Sequence, residues 1–141
     1  MRGLARRELA AVLAGGAAGA VLRVWLAGRF SGGAPSWPWA TFSINVSGCF
    51  ALAYIATCLH ERLPASALTG HRPHARIALR ALGTGLCATY STFATMQIEI
   101  LVMIDAGRYG LAGGYALASV LCGYLAIAGA TALARPRSAL A

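Results

Sequence analysis

The sequence predicts an all-α membrane protein with four transmembrane helices, the third of them broken. Three observations lead there. First, 58% of the 141 residues are hydrophobic and only 11% are charged, with a mean hydropathy of +0.65; a soluble domain is usually about one-quarter charged. Second, at roughly 20 apolar residues per crossing, the length allows four spans in a single membrane domain and leaves nothing for a soluble catalytic domain. Third, the stretch 82–99, LGTGLCATYSTFATMQIE, is apolar enough for the bilayer but unlike a plain spanning helix. Gly83 and Gly85 open it, Thr84, Thr89, Tyr90, Ser91, Thr92 and Thr95 supply hydroxyls, Phe93 stands among them, and Glu99 closes it. Hydroxyls bond back to a helix and loosen it, and irregular backbone at membrane depth survives only against protein or a watery cavity. This stretch therefore reads as a broken helix lining a small polar pathway.

The first span is expected over about residues 9–30, after a basic start carrying Arg2, Arg6 and Arg7. Such a start also suits a signal peptide, but the apolar run continues through Trp25 and Leu26, which suits a retained span. Gly15 and Gly19 form a small-xxx-small face that predicts close helix packing. Arg23 is an always-charged group in the distal half of this span. It either snorkels to the interface or serves as an anion attractor or fixed structural contact. A Gly/Pro/Ser turn at 31–38 follows, with Trp37 and Trp39 suited to an interfacial belt.

The second span, about 39–59, carries Ser43, Asn45, Ser47 and Gly48 in its first half. A buried amide must find partners, and position alone favours Asn45 as interhelical glue over a donor that replaces an anion's lost water. Residues 60–76 form the one long polar connection, whose His60, His71 and His74 make no convincing metal constellation. The third span, about 77–104, has 28 residues, more than a straight crossing needs. The fourth, about 111–133, places Tyr115 and Ser119 at i and i+4 on one face.

Several functions are excluded or disfavoured. The net charge of +8 would suggest nucleic acid in a soluble domain; here the arginines cluster at span ends and report topology, so no nucleic-acid partner is expected. Cys49, Cys58, Cys87 and Cys122 lie in apolar stretches without metal-ligand spacing and read as small packing residues. No catalytic triad, paired carboxylates or phosphate-binding glycine pattern is present, so no enzyme activity is expected.

Four motifs in order carry a resemblance. GGAAGAVLR (15–23) is similar to G-G-x-x-G-A-x-x-R, and WATFSINVSGCF (39–50) to G-T-L-x-V-N-x-x-G-x-F. GTGLCATYSTFATMQIE (83–99) lies without gaps on G-T-G-F-C-G-G-x-T-T-F-S-T-F-x-x-E, and Tyr115 and Ser119 match a fourth-helix tyrosine and serine. With these, the chain resembles the CrcB/Fluc fluoride-channel family from about residue 15 to 129. The resemblance implies an antiparallel (inverted) dimer with two pores in the cell membrane, with fluoride as the ion carried. It implies Asn45 as the pore asparagine, Phe93 as the first pore phenylalanine, hydroxyls of Thr95, Tyr115 and Ser119 along the ion track, and Glu99 near the vestibule. It further implies a structural Na+ at the dimer interface, held by backbone carbonyls of Ala88 and Ser91 from both subunits. The chain departs from the pattern at Met96, where a second phenylalanine is usual on the ion pathway, at Ala94 in place of a serine, and at Ala88 and Thr89 in place of a glycine pair.

Two other classes fit four spans: a small multidrug-type transporter and a non-conducting membrane assembly subunit. The first relies on a membrane-embedded carboxylate in its first span, where only Glu8 stands, at the edge beside Arg6 and Arg7. The second would not require Asn45, Phe93 and the hydroxyls together. Orientation follows from the arginines. Arg2, Arg6, Arg7, Arg62, Arg72, Arg76, Arg80, Arg135 and Arg137 fall on one side, with Arg29 and Arg108 opposite. The positive-inside rule then places both termini in the cytoplasm. So strong a bias suits one-way insertion, and hence pairing with a related subunit of opposite orientation rather than with itself.

Overall fold

The computed structural model describes residues 2–29, 36–62 and 80–135. Phe30 of the expected first span, residues 31–35 of the first turn, His71, Arg72, His74 and Arg76 of the polar connection, residues 77–79 of the expected third span, and Arg137 lie outside the described residues. All regular structure among the described residues is helical. Helix α1 is Arg2–Arg29 and α2 is Trp39–Arg62. α3 begins with wide, π-helical turns over Arg80–Cys87 and continues as one α-helical turn, Ala88–Tyr90. α4 is Phe93–Asp105 and α5 is Tyr109–Ala134.

Four stretches are long and apolar enough to cross a bilayer: Arg6–Arg29, Trp39–Leu59, Gly85–Asp105 and Tyr109–Ala134. Their mean hydropathies are 1.8, 1.6, 1.3 and 1.9, so the hydroxyl-rich third stretch is the least apolar. The helices present Leu, Val, Ile and aromatic side chains outward along most of their length, for example Leu13, Val21, Leu117 and Leu125. In water so large an apolar surface would not stay unpartnered. Glu8 departs from the simplest expectation, because it is buried although it stands near the start of α1.

Two helix pairs make the body. α1 packs against α3, and α2 against α5, while α1 and α2 meet lightly. The α1–α3 contact depends on missing side chains. A Cβ on Gly85 would lie 2.7 Å from the Val12 carbonyl oxygen, and one on Gly15 would strike the Ala81 carbonyl. Lipid offers no hydrophobic drive for helix pairing, so association rests on close backbone approach and hydrogen bonds. Thr89 supplies one such bond: its Oγ1 lies 2.9 Å from the Gly16 carbonyl across the interface and 3.0 Å from Gly85 one turn back.

The core lies where α4 meets α2 and α5: Met96, Met103, Ala112 and Tyr115 are buried, with Trp37, Phe42, Ile100 and Leu111 packed against them. α4 joins α5 through a tight turn at Gly107, whose φ of +72° suits glycine. There the Arg108 N–H reaches the Met103 carbonyl at 2.8 Å and the Gly107 N–H reaches Ile104 at 2.9 Å. This is the Schellman pattern, which satisfies the last carbonyls of α4.

Candidate functional site

Between α3 and α4 the chain leaves helical geometry for two residues. Ser91 has φ −76°, ψ 148°, and Thr92 has φ −143°, ψ 102°, both extended. Inside an apolar stretch the peptide groups released there need partners, because each one left unpaired costs several kcal/mol in hydrocarbon. Asn45 supplies them from α2. Its Oδ1 accepts from the Thr92 N–H at 2.8 Å and from Ser91 Oγ at 3.0 Å, while its Nδ2 donates to the Thr92 carbonyl at 3.2 Å. One amide therefore pairs with Thr92 as a neighbouring strand would. Because Nδ2 carries two hydrogens, a second N–H is left over from this pairing.

The same bonds redirect the local backbone. In an unbroken helix the Thr92 N–H would donate to the Ala88 carbonyl; it is turned to Asn45 instead. The Thr95 N–H would donate to Ser91; it is capped by Thr92 Oγ1 at 3.3 Å. The carbonyls of Ala88 and Ser91 have thus both lost their regular helical donors. Among the described residues no three or more His, Cys, Asp or Glu side chains gather as a metal site.

Beyond the interruption the candidate residues divide into exposed and buried ones. Phe93, the first residue of α4, is 67% exposed, and Thr95 is exposed beside it, its hydroxyl 2.8 Å from that of Thr92. Met96, one turn after Phe93, is buried in the core with Tyr115.

The inner face holds a carboxylate between two hydroxyls. Thr41 Oγ1 donates to Glu99 Oε1 at 2.6 Å, and the Tyr115 hydroxyl donates to Oε2 at 2.8 Å. Thr41 and Tyr115 are buried, Tyr115 completely. One turn along α5, the Ser119 Oγ is buried with no hydrogen-bond partner. Arg23 is half-buried on α1 and joins neither cluster. A cleft of about 370 Å³ opens elsewhere, at the far ends of α2 and α5 among Ala56, Thr57, Glu61, Thr131 and Arg135. None of the candidate pathway residues lines it.

Sequence reasoning passed over two participants. Thr41 is one turn before Asn45, and Thr41, Asn45 and Gly48 follow the i, i+4, i+7 spacing of a single helix face; that spacing was the available signal. Ser47 was noted only as polar, and its Oγ lies 2.8 Å from the Tyr90 hydroxyl. No sequence period announces a pairing across 43 residues.

The profile of the family described as CrcB-like protein, Camphor Resistance (CrcB), matches residues 10–131. A fluoride-specific ion channel FluC 1 of Mycolicibacterium paratuberculosis is 46% identical over 129 residues, which are 92% of this chain and 91% of that protein. The fluoride-specific ion channel FluC of Oceanobacillus iheyensis is 32% identical, covering 83% of each chain. FluC 1 of Rubrobacter xylanophilus is 34% identical over 92% of this chain and 95% of its own length. With a family match over residues 10–131 and identities of 32–46% across most of its length, the chain belongs to the CrcB family.

Proposed function

We propose that this chain forms a passive, fluoride-selective channel that exports cytoplasmic fluoride down its electrochemical gradient. The observation that carries the reading is the interruption at Ser91–Thr92, bracketed by Asn45, with hydroxyls and an aromatic ring arrayed beyond it. The names of the relatives, fluoride-specific ion channels, point the same way. Fluoride is small and tightly hydrated, so donors must replace its water at each position. The remaining Asn45 N–H, the hydroxyls of Thr95 and Ser119 and the positive ring edge of Phe93 are such donors, and the Tyr115 hydroxyl joins them once it turns from Glu99.

No energy source is required. Fluoride enters as neutral HF, ionises at cytoplasmic pH and is trapped as the anion. An inside-negative potential then drives it outward by about 2.3 kcal/mol per charge per 100 mV.

The third span in this reading is a broken transmembrane helix, and the working unit is an antiparallel dimer in the cell membrane with both termini cytoplasmic. The outward Phe93 and Thr95 support a second subunit, because a polar aromatic face suits a shared pore wall better than lipid. A structural Na+ is proposed at the dimer centre on the Ala88 and Ser91 carbonyls of both subunits, where it supplies positive charge to oxygens that lack helical donors. The arginine bias favours a partner of opposite orientation over a second copy. The test is efflux from proteoliposomes: fluoride leaves and chloride does not. Equal chloride flux, or proton-coupled export of organic cations through Glu8, overturns the reading.

A further inference from the structure

The last turn of α3 is tied to α2 at a second point, just beyond Asn45. Tyr90, the residue before the interruption, is buried, and its hydroxyl lies 2.8 Å from Ser47 Oγ. Its ring lies over α2 at Gly48, where an added Cβ would stand 3.3 Å from both Tyr90 Cδ1 and Ser91 Cβ. Gly48 thus admits the chain against α2 just where it leaves helical geometry. The sense of the Tyr90–Ser47 bond follows from the other partners of Ser47. Its Oγ is 2.6 Å from the Ser43 carbonyl and 3.2 Å from the Ile44 carbonyl. Carbonyls only accept, and a serine carries a single O–H, so that proton is committed within α2. The Tyr90 hydroxyl is therefore the donor and Ser47 the acceptor.

Asn45 meets Ser91 and Thr92 only while α3 ends at one depth and one rotation against α2. Its bonds, at 2.8, 3.0 and 3.2 Å, all spring from one residue of α2, and a single attachment leaves the chain free to pivot. Ser47 and Gly48 lie about 3–4.5 Å farther along α2, at a rise of about 1.5 Å per residue, and give the second attachment. Tyr90 is buried with its O–H committed to Ser47, so its influence passes through the residues beside it.

We propose that Tyr90 is a positioning residue for the ion pathway: its bond to Ser47 and its seat on Gly48 fix the end of α3 so that Ser91 and Thr92 stay paired with Asn45. The proposal rests on the channel reading for what the pathway carries, and adds to it a residue that acts through Asn45 rather than on the ion. Loosening the tether lets a fraction of subunits lose the Asn45–Thr92 pairing. An ion site formed in only a fraction of molecules shows a dissociation constant raised by the inverse of that fraction, and saturating ion restores it.

Tyr90→Phe tests this at little cost to the fold, because it keeps the ring on Gly48 and leaves Ser47 bonded to Ser43. In proteoliposomes of the assembled channel, half-saturating fluoride is expected to rise about fivefold, the scale of one neutral hydrogen bond, with the maximal rate and the thermal midpoint kept. Ser47→Ala removes the acceptor and strands a buried O–H, so it is expected to raise half-saturation by a like factor and also to lower the thermal midpoint. The double variant, with no stranded donor, is expected to raise half-saturation no further. Hydrogen exchange at the Thr92 amide, read by NMR on the full chain, is expected to quicken in Tyr90→Phe. Unchanged half-saturation in both single variants, a lower maximal rate at unchanged half-saturation in Tyr90→Phe, or a Thr92 amide as protected as in the wild type overturns the proposal. Exchange reads the tether whether or not fluoride flows, so a silent wild type counts against the channel reading alone.

Discussion

Asn45 and Phe93 differ in how they are held, and this separates their expected phenotypes. Asn45 makes three hydrogen bonds to Ser91 and Thr92, so truncating it strands polar groups inside the membrane body. Asn45→Ala is expected to lower fluoride flux at least tenfold and also to lower the thermal midpoint, since each stranded group costs about 1–3 kcal/mol. Phe93 is 67% exposed within its own chain and supports little of its fold. Phe93→Ala is expected to reduce flux comparably while leaving the helical content and unfolding of the single subunit unchanged. Parallel flux assays and circular-dichroism melts check both, and a Phe93→Ala protein conducting at full rate would remove the ring from the pathway. At this scale the sequence was partly legible. Asn45 announced itself as a buried amide with glue the favoured role, and the bonds to Ser91 and Thr92 give it that role while leaving an N–H over. The Thr41–Glu99 bond was not legible, because residues 58 apart in sequence meet only once the helices have packed.

Among the elements, α1 and α3 carry the clearest link from sequence to packing. The small residues at 15 and 19 predicted a close approach, and Gly85 completes it from the opposite helix. Gly85→Ala places a Cβ 2.7 Å from the Val12 carbonyl, where backbone must shift; a loss of about 1–3 kcal/mol is expected. Gly129→Ala, whose Cβ meets nothing within 4 Å, is expected to leave the thermal midpoint unchanged or raised, because alanine is the better helix former. Equal destabilisation by both would mean that the α1–α3 contact is not the close one. Spans were legible because apolar runs of this length admit few alternatives. The π-helical turns at Arg80–Cys87 were not: widened turns arise from how a helix with Gly83 and Gly85 meets its neighbour, and hydropathy carries no trace of that.

At the scale of the whole molecule, a single chain divides its candidate residues between its core and its surface. It buries Met96 and Tyr115, exposes Phe93 and Thr95, and interrupts the helical ladder at Ser91–Thr92. These features fit a second subunit completing the pathway. The arginine bias expects that subunit to be a related chain inserted the other way. Reporter fusions at the C-terminus are expected to read cytoplasmic in nearly every molecule; comparable populations on both sides would restore a homodimer. The central claim is that the polar interruption conducts fluoride passively. Fluoride efflux from proteoliposomes, measured with this chain alone and with an oppositely oriented relative, tests it most directly. The account predicts rapid fluoride release from the paired protein, without added nucleotide or proton gradient and without chloride release. Fluoride retained by both preparations, or chloride released at the same rate, would contradict it.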